Sequence, residues 1–245
     1  MSKVGDLPLW WKPVDIFCKR GFSPQLRTVR VTLMIQSFEF SPFQENTYVI
    51  ADDATGEAVI VDPGCYEQAE KETLSRFIES HQLKIKYLLL THAHLDHVFG
   101  VAYVKRKFGV KAYLHELDKV IYDDVPTRCT LYGLRGYEPS EIDEFLKEGD
   151  QVRFGNTVLD VIFVPGHAPG HVAFVNHAER YVIGGDVLFR GSVGRTDFPY
   201  CNHTDLINSI RTQFYTLPDD YIVYPGHMDP TTIGQEKRTN PFVKM

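Results

Sequence analysis

Thr91-His92-Ala93-His94-Leu95-Asp96-His97 is the stretch on which the reading of this chain turns. It follows directly on the apolar run 88–90 and precedes a helix predicted over 98–108, so three imidazoles and a carboxylate crowd the turn between a buried strand and a helix. Drying that many polar groups at a strand end is costly unless something offsets it, and a divalent metal does so through bonds to imidazole and carboxylate. Histidines two apart project the same way from extended backbone, whereas Asp96 and His97 come after the chain bends. One loop is therefore able to feed two adjacent metals.

Working outward, three more stretches end an apolar run in a ligand-type side chain. They are Phe163-Val164-Pro165-Gly166-His167-Ala168-Pro169-Gly170-His171, Tyr181-Val182-Ile183-Gly184-Gly185-Asp186 and Ile222-Val223-Tyr224-Pro225-Gly226-His227. The glycines permit tight turns that present the next side chain to a shared opening. A single Pro-Gly-His is more often a turn than a ligand; four such strand ends in one chain point to one centre.

Around these motifs the pattern alternates. Strands are predicted at 46–51, 58–61 and 87–90 about an amphipathic helix at 68–80; a second group has strands at 151–154, 158–164, 172–175, 181–183 and 221–224 with a helix at 204–215. Two similar halves with helices outside predict an α/β protein in which two sheets are layered and their facing edges hold the site. Residues 1–33 stand apart, with six Lys or Arg against two acidic residues, Asp6 and Asp15, while 34–245 carries 20 basic and 30 acidic residues. Met34 opens an alternating strand, so the reading is an N-terminal extension over 1–33 and a catalytic unit over 34–245; a chain starting at Met34 is expected to fold and bind metal. The extension has no apolar run with a small-residue cleavage site and does not read as a secretory signal.

The bulk numbers narrow the partners. Across 245 residues the chain is 43% hydrophobic and 24% charged with a formal charge of −6, which suits a soluble globular protein and argues against nucleic-acid binding, since that needs a basic face to displace counterions. No apolar run is long enough to span a membrane. The four cysteines, Cys18, Cys65, Cys129 and Cys201, form no Cys-x-x-Cys pair and read as reduced thiols of a cytoplasmic protein.

His92-x-His94-x-Asp96-His97, His167, Asp186 and His227 resemble, in order, the full ligand set of the metallo-β-lactamase superfamily. The resemblance covers 34–245 and implies that superfamily's fold, a four-layer αβ/βα sandwich. It implies that His92, His94 and His167 bind one metal, that Asp96, His97 and His227 bind a second, and that Asp186 bridges them. The metals would be two divalent ions, zinc by default, with iron or manganese as alternatives. Asp62, in Val61-Asp62-Pro63-Gly64, is similar to an acidic turn that orients ligands. His171 is expected to hydrogen-bond behind the ligands, because the other seven residues complete two coordination spheres.

Gly184-Gly185-Asp186-Val187-Leu188-Phe189, the run from Gly191 to Pro199 and Thr239-Asn240-Pro241-Phe242 are similar to the short bacterial glyoxalase II-like branch. That similarity implies hydrolysis of a small ester or thioester by a water activated between two metals, with Asp96 binding metal and orienting the nucleophile. The sequence departs from the branch at Tyr200-Cys201-Asn202, where glycines are usual, and at Met228-Asp229-Pro230, both beside the predicted site, so substrate shape is where it is expected to differ. Little chain follows His227, so the helical domain with which typical glyoxalase II enzymes hold glutathione is not expected. Arg195 is a candidate for a substrate carboxylate, with an internal pair to Asp197 as the alternative. Tyr132, Tyr137 and a loop over 123–140 are candidates for the cleft wall. The rival readings are an iron persulfide dioxygenase, a non-catalytic binding module on the same fold and a nuclease. Metal content separates the first from a hydrolase; the intact ligand set speaks against the second, and the acidic balance against the third.

Overall fold

The computed structural model describes residues 33–244. The extension read over 1–33 lies outside them apart from Leu33, which opens the first strand. The first half of the described chain builds one six-stranded sheet: β1 (Leu33–Phe40), β2 (Glu45–Asp52), β3 (Glu57–Val61), β4 (Lys84–Leu89), β5 (Ala112–His115) and β6 (Glu144–Leu146), in that spatial order. The first three pair antiparallel; from β3 onward the pairing is parallel, and each crossover carries helix. These are α1 (Gln68–Ser80), the short α2 (Leu95–Val98) with α3 (Val101–Phe108), and α4 (Lys119–Leu131).

The second half repeats the plan. Its strands are β7 (Gln151–Phe154), β8 (Thr157–Phe163), β9 (Val172–Asn176), β10 (Tyr181–Gly185), the small hairpin β11 (Leu188–Phe189) with β12 (Ser192–Val193), β13 (Ile222–Pro225) and β14 (Thr231–Thr232). The main sheet runs β14-β13-β10-β9-β8-β7. Helix α5 (His203–Ser209), continued by a wider turn over Ile210–Phe214, and α6 (Ile233–Thr239) cover it.

Alternation along the strands produces the layers. Val49 and Ala51 of β2, Ala58 and Ile60 of β3, and Leu88 of β4 face α1, α3 and α4 in one apolar core. Their neighbours Tyr48, Ile50, Val59, Val61 and Leu89 face the other sheet, meeting Phe154, Leu159, Val161, Phe174 and Ile183 in a second core. On the far side Ala173, Val175, Val182 and Val223 pack on Leu206, Ile210 and Phe214 in a third. Because central strands are buried on both faces, their period-two pattern is apolar throughout and reads in sequence as a continuous run. The result is the four-layer αβ/βα sandwich.

Some local expectations needed correction. Residues 98–108 are not one helix: α2 ends at Val98 and α3 starts at Val101, with Gly100 between them as N-cap. Gly100 is buried against Pro63 and Cys65, where a Cβ would lie 2.4 Å from the Cys65 sulfur, so the break is set by close packing. The expected loop over 123–140 is helical as far as Leu131. Pro126 sits inside α4 and removes a backbone donor, which reads as a breaker in sequence; burial of Tyr122, Val125 and Cys129 on the first sheet holds the helix despite it. Among the described residues no helix is long and apolar enough to cross a membrane.

Candidate metal centre

All four motifs reach one edge of the sandwich. The chain leaves β4 into His92, Ala93 and His94, and His94 caps α2, which carries Asp96 and His97. His167 follows β8, Asp186 follows β10 and His227 follows β13, each just beyond a strand's C-terminal end. The two sheets are bonded together here: Val172 N–H donates to Thr91 O at 2.9 Å, Asn46 N–H to Gly226 O at 2.7 Å, and the Tyr48 hydroxyl to Pro225 O at 2.6 Å. Two glycines are required by space. At Gly185, where φ is +50°, a Cβ would lie 2.5 Å from Thr91 Oγ1; at Gly226 it would lie 2.2 Å from Asp186 Oδ1.

The ring nitrogens are aimed. His97 Nδ1 lies 3.1 Å from Asp62 Oδ2, His167 Nδ1 2.8 Å from Arg195 O, and His227 Nδ1 3.1 Å from Gln44 O. His92 Nδ1 lies 3.0 Å from Thr91 Oγ1, whose own proton goes to Asp62 Oδ2 at 2.6 Å. Each of these contacts turns Nδ1 toward an acceptor, so that Nε2 faces the centre, where a metal can take its lone pair once any proton on it has been displaced. His94 is turned the other way, with Nδ1 2.8 Å from His167 Nε2. Asp186 Oδ1 is 3.6 Å from His97 Nε2, while Oδ2 is 3.4 Å from His167 Nε2 and 3.6 Å from His227 Nε2. Asp96 Oδ2 lies 3.2 Å from His227 Nε2.

Three groupings have candidate ligand atoms within 4.8 Å of one another: His92 with His94 and His167, Asp96 with His97 and His227, and Asp62 with His92 and His97, the last lying behind the other two where Asp62 already accepts hydrogen bonds. Asp186 stands between the first two. His92 Nε2, His97 Nε2 and Asp186 Oδ1 are buried and have no hydrogen-bond partner. Orphaned buried polar atoms cost about 1–3 kcal/mol each, and lone pairs converging beside a carboxylate are what a divalent cation satisfies. The residues present fit such ions.

Electrostatics divides the two groups. Burial lowers the proton affinity of His92, of His94 (to about 3) and of His167, so these rings are held neutral. Burial also opposes a charge on His97, but Asp186 and Asp96 outweigh it and raise its pKa well above the ordinary value; the hydrogen bond to Asp96 likewise raises that of His227. Asp96 and Asp186 are held below the usual carboxylate range, burial being outweighed in both by His97 and its neighbours.

Asp62, His171 and Arg195 surround the centre. Asp62 accepts from Thr91 N–H at 2.7 Å, from the Thr91 hydroxyl and from His97, so its oxygens orient the His92 loop and His97. His171 accepts the Asp186 backbone N–H on Nε2 at 3.1 Å and stacks on His92 at 4.7 Å, behind the centre. Arg195 is at the cavity wall with its guanidinium filled by Asp197, Nε to Oδ1 and Nη2 to Oδ2 both at 2.7 Å. That is the internal pair. Tyr132 lines the cavity, whereas Tyr137 packs into the core behind it.

Two carboxylates escaped the sequence reading. Glu45, fully buried, accepts from the Thr47 hydroxyl at 2.9 Å and has its other oxygen 3.9 Å from His97 Nδ1; burial pushes its pKa well up. The one signal was the polar Glu45-Asn46-Thr47 at the head of an otherwise apolar strand. Asp118, also fully buried, accepts from Ala93 N–H at 2.8 Å and from Gly170 N–H at 2.5 Å, clasping the His92–His94 loop to the His167–His171 loop. Burial raises its pKa to about 7. Nothing local marked it. An Asp118→Ala chain leaves two buried donors unpaired and is expected to lose about 2–6 kcal/mol, at about 1–3 kcal/mol per donor. Thermal unfolding should show a midpoint lower by roughly 5–15 °C; an unchanged midpoint would mean the clasp is dispensable.

Comparison with known proteins follows this geometry. The metallo-beta-lactamase superfamily profile matches residues 40–227. The hydroxyacylglutathione hydrolase GloC of Haemophilus influenzae is 41% identical over 211 residues, covering 85% of this chain and 97% of that one. The crystal structure of BLEG-1 B3 metallo-beta-lactamase superposes with a TM-score of 0.79 at 36% identity, over 86% of this chain and all (100%) of the other. The crystal structure of TTHA1623 in a di-iron-bound form does so with a TM-score of 0.74 at 36% identity, over 85% and 100% of the two chains.

Proposed function

The chain belongs to the metallo-β-lactamase superfamily of hydrolases, and from that premise we propose that it is a two-metal thioesterase that hydrolyses small thioesters of the hydroxyacylglutathione kind. The observation that carries the reading is the set of converging, unpartnered buried atoms, His92 Nε2, His97 Nε2 and Asp186 Oδ1, between two ligand groupings. A single structural ion needs about four ligands; seven side chains divided by a carboxylate suit a pair. The GloC relative supports the thioester, and the di-iron form of TTHA1623 supports the pair.

His92, His94 and His167 would hold one ion and Asp96, His97 and His227 the other, with Asp186 shared. Divalent ions so held would bring the pKa of a bound water toward neutrality and would polarise a substrate carbonyl. The chain's own residues do the rest. Asp96, ionised and beside His227, orients the attacking water, while Asp62, Thr91 and His171 keep the ligand rings and Asp186 in place. A leaving thiol has a pKa of about 8.5 and departs with little protonation, so no separate acid is required. Cys65 is no competing nucleophile: it is buried, and burial pushes its thiol up to about 12.

The test is metal content by elemental analysis with S-lactoylglutathione hydrolysis on the same preparation. About two zinc, iron or manganese ions per chain with turnover supports the proposal. One iron per chain, no hydrolysis and oxygen uptake with glutathione persulfide would replace it with a dioxygenase.

A further inference from the structure

The cavity in front of His94, Asp96, His167, Asp186 and His227 has a volume of about 500 Å³, and its outer wall is apolar. Phe43, Ile121, Val125, Tyr132, Tyr200 and Met228 contribute to that wall, with the Phe43 ring edge-on to Tyr132 at 6.3 Å. Two of these residues are held at a cost to the backbone. Tyr200 has φ of 70° and Met228 φ of 68°, the left-handed region that bulky side chains avoid and glycine adopts freely. Large apolar side chains kept in strained conformations at the mouth of a site point to a task for the side chains themselves.

Charge gives the complementary half. Apart from imidazoles, the cations lining the cavity are Arg128 and Arg195. Arg128 Nε pairs with Asp124 at 2.7 Å; Arg195 is held by both oxygens of Asp197 and lies over the Phe198 ring at 4.0 Å. Among the described residues each guanidinium of the wall already has its counter-charge, so those residues present no unpaired cation to a substrate carboxylate.

Resting on the thioesterase reading, we infer that this wall receives the acyl group, and that the protein selects thioesters with a bulky apolar acyl group, aromatic above all, over small polar ones. The charged thiol carrier stays toward solvent. In the reaction water adds to the carbonyl carbon and the C–S bond breaks with its electron pair leaving on sulfur; the water's oxygen and one proton end in the carboxylic acid, and its other proton goes to the departing thiolate, giving the thiol.

S-mandeloylglutathione and S-lactoylglutathione share carrier and 2-hydroxyl group and differ by phenyl for methyl. The expected result is kcat/KM at least about tenfold higher for the mandeloyl thioester, the scale on which apolar pockets discriminate. Binding without turnover gives a second readout, S-benzylglutathione being expected to bind at least about tenfold tighter than S-methylglutathione by calorimetry. A Tyr200→Gly, Met228→Gly chain relieves both strained positions, so it should fold at least as stably while the mandeloyl preference falls toward unity. Equal or faster turnover of the lactoyl thioester by the unaltered protein overturns the inference and leaves the thioesterase reading standing. An unchanged preference in the double variant overturns the role of these two side chains. Hydrolysis of neither thioester by protein carrying two metals removes the thioesterase reading itself.

Discussion

Asp186→Asn is expected to reduce thioester hydrolysis by roughly a thousandfold or more and to lower the metal content below two ions per chain. The scale follows from the 10–100-fold that even supporting residues of a metal site command; a carboxylate common to both groupings exceeds it. Asn is nearly isosteric, so the fold should survive, but one oxygen becomes an NH2 that cannot donate a lone pair, and the negative charge is gone. Both oxygens are in use here, Oδ1 toward His97 and Oδ2 toward His167 and His227. Elemental analysis, turnover and thermal unfolding on one preparation check the expectation. Full metal occupancy with turnover within tenfold of the unaltered protein would show that Asp186 is not the shared residue.

The second large effect is in how the metals are lost to acid. In the metal-free chain burial holds His92, His94 and His167 below the ordinary histidine value, so at the pH where an ordinary histidine titrates they are mostly neutral and metal displaces little proton from them. His97 and His227 are above it and still protonated there, and metal must displace those protons. Each displaced proton weakens binding about tenfold per pH unit below the raised pKa. Affinity at the Asp96, His97 and His227 grouping should therefore fall by as much as about a hundredfold per unit as pH drops below those values. The His92, His94 and His167 grouping should barely respond until pH approaches the depressed values, about 3 for His94. Dialysis at pH 7.5 and 5.5 followed by metal analysis is expected to take the chain from two ions to one. Simultaneous loss of both, or first loss from the His92 grouping, would contradict the assignment.

Much of this protein is legible from its residues in order. The apolar strands with ligand-type residues at their ends could be read because strand burial and metal ligation both depend on side-chain type at fixed local spacing. The fold places His171 against the Asp186 backbone and Asp62 beside His97. Helix α4 is decided by packing on the first sheet, which outweighs the helix-breaking tendency of Pro126.

What tertiary structure alone decided are the pairings between residues far apart in the chain. Asp118 acquires its role from backbone N–H groups 25 and 52 residues away. Glu45 acquires its role from burial beside His97, and the cavity wall is assembled from loops of both halves. Arg195 had two readings in sequence, and the fold supplies the pair with Asp197. Composition and spacing specify which groups a chain has to satisfy; which distant donor satisfies each buried acceptor is set when the sheets close on one another, because that accounting is three-dimensional.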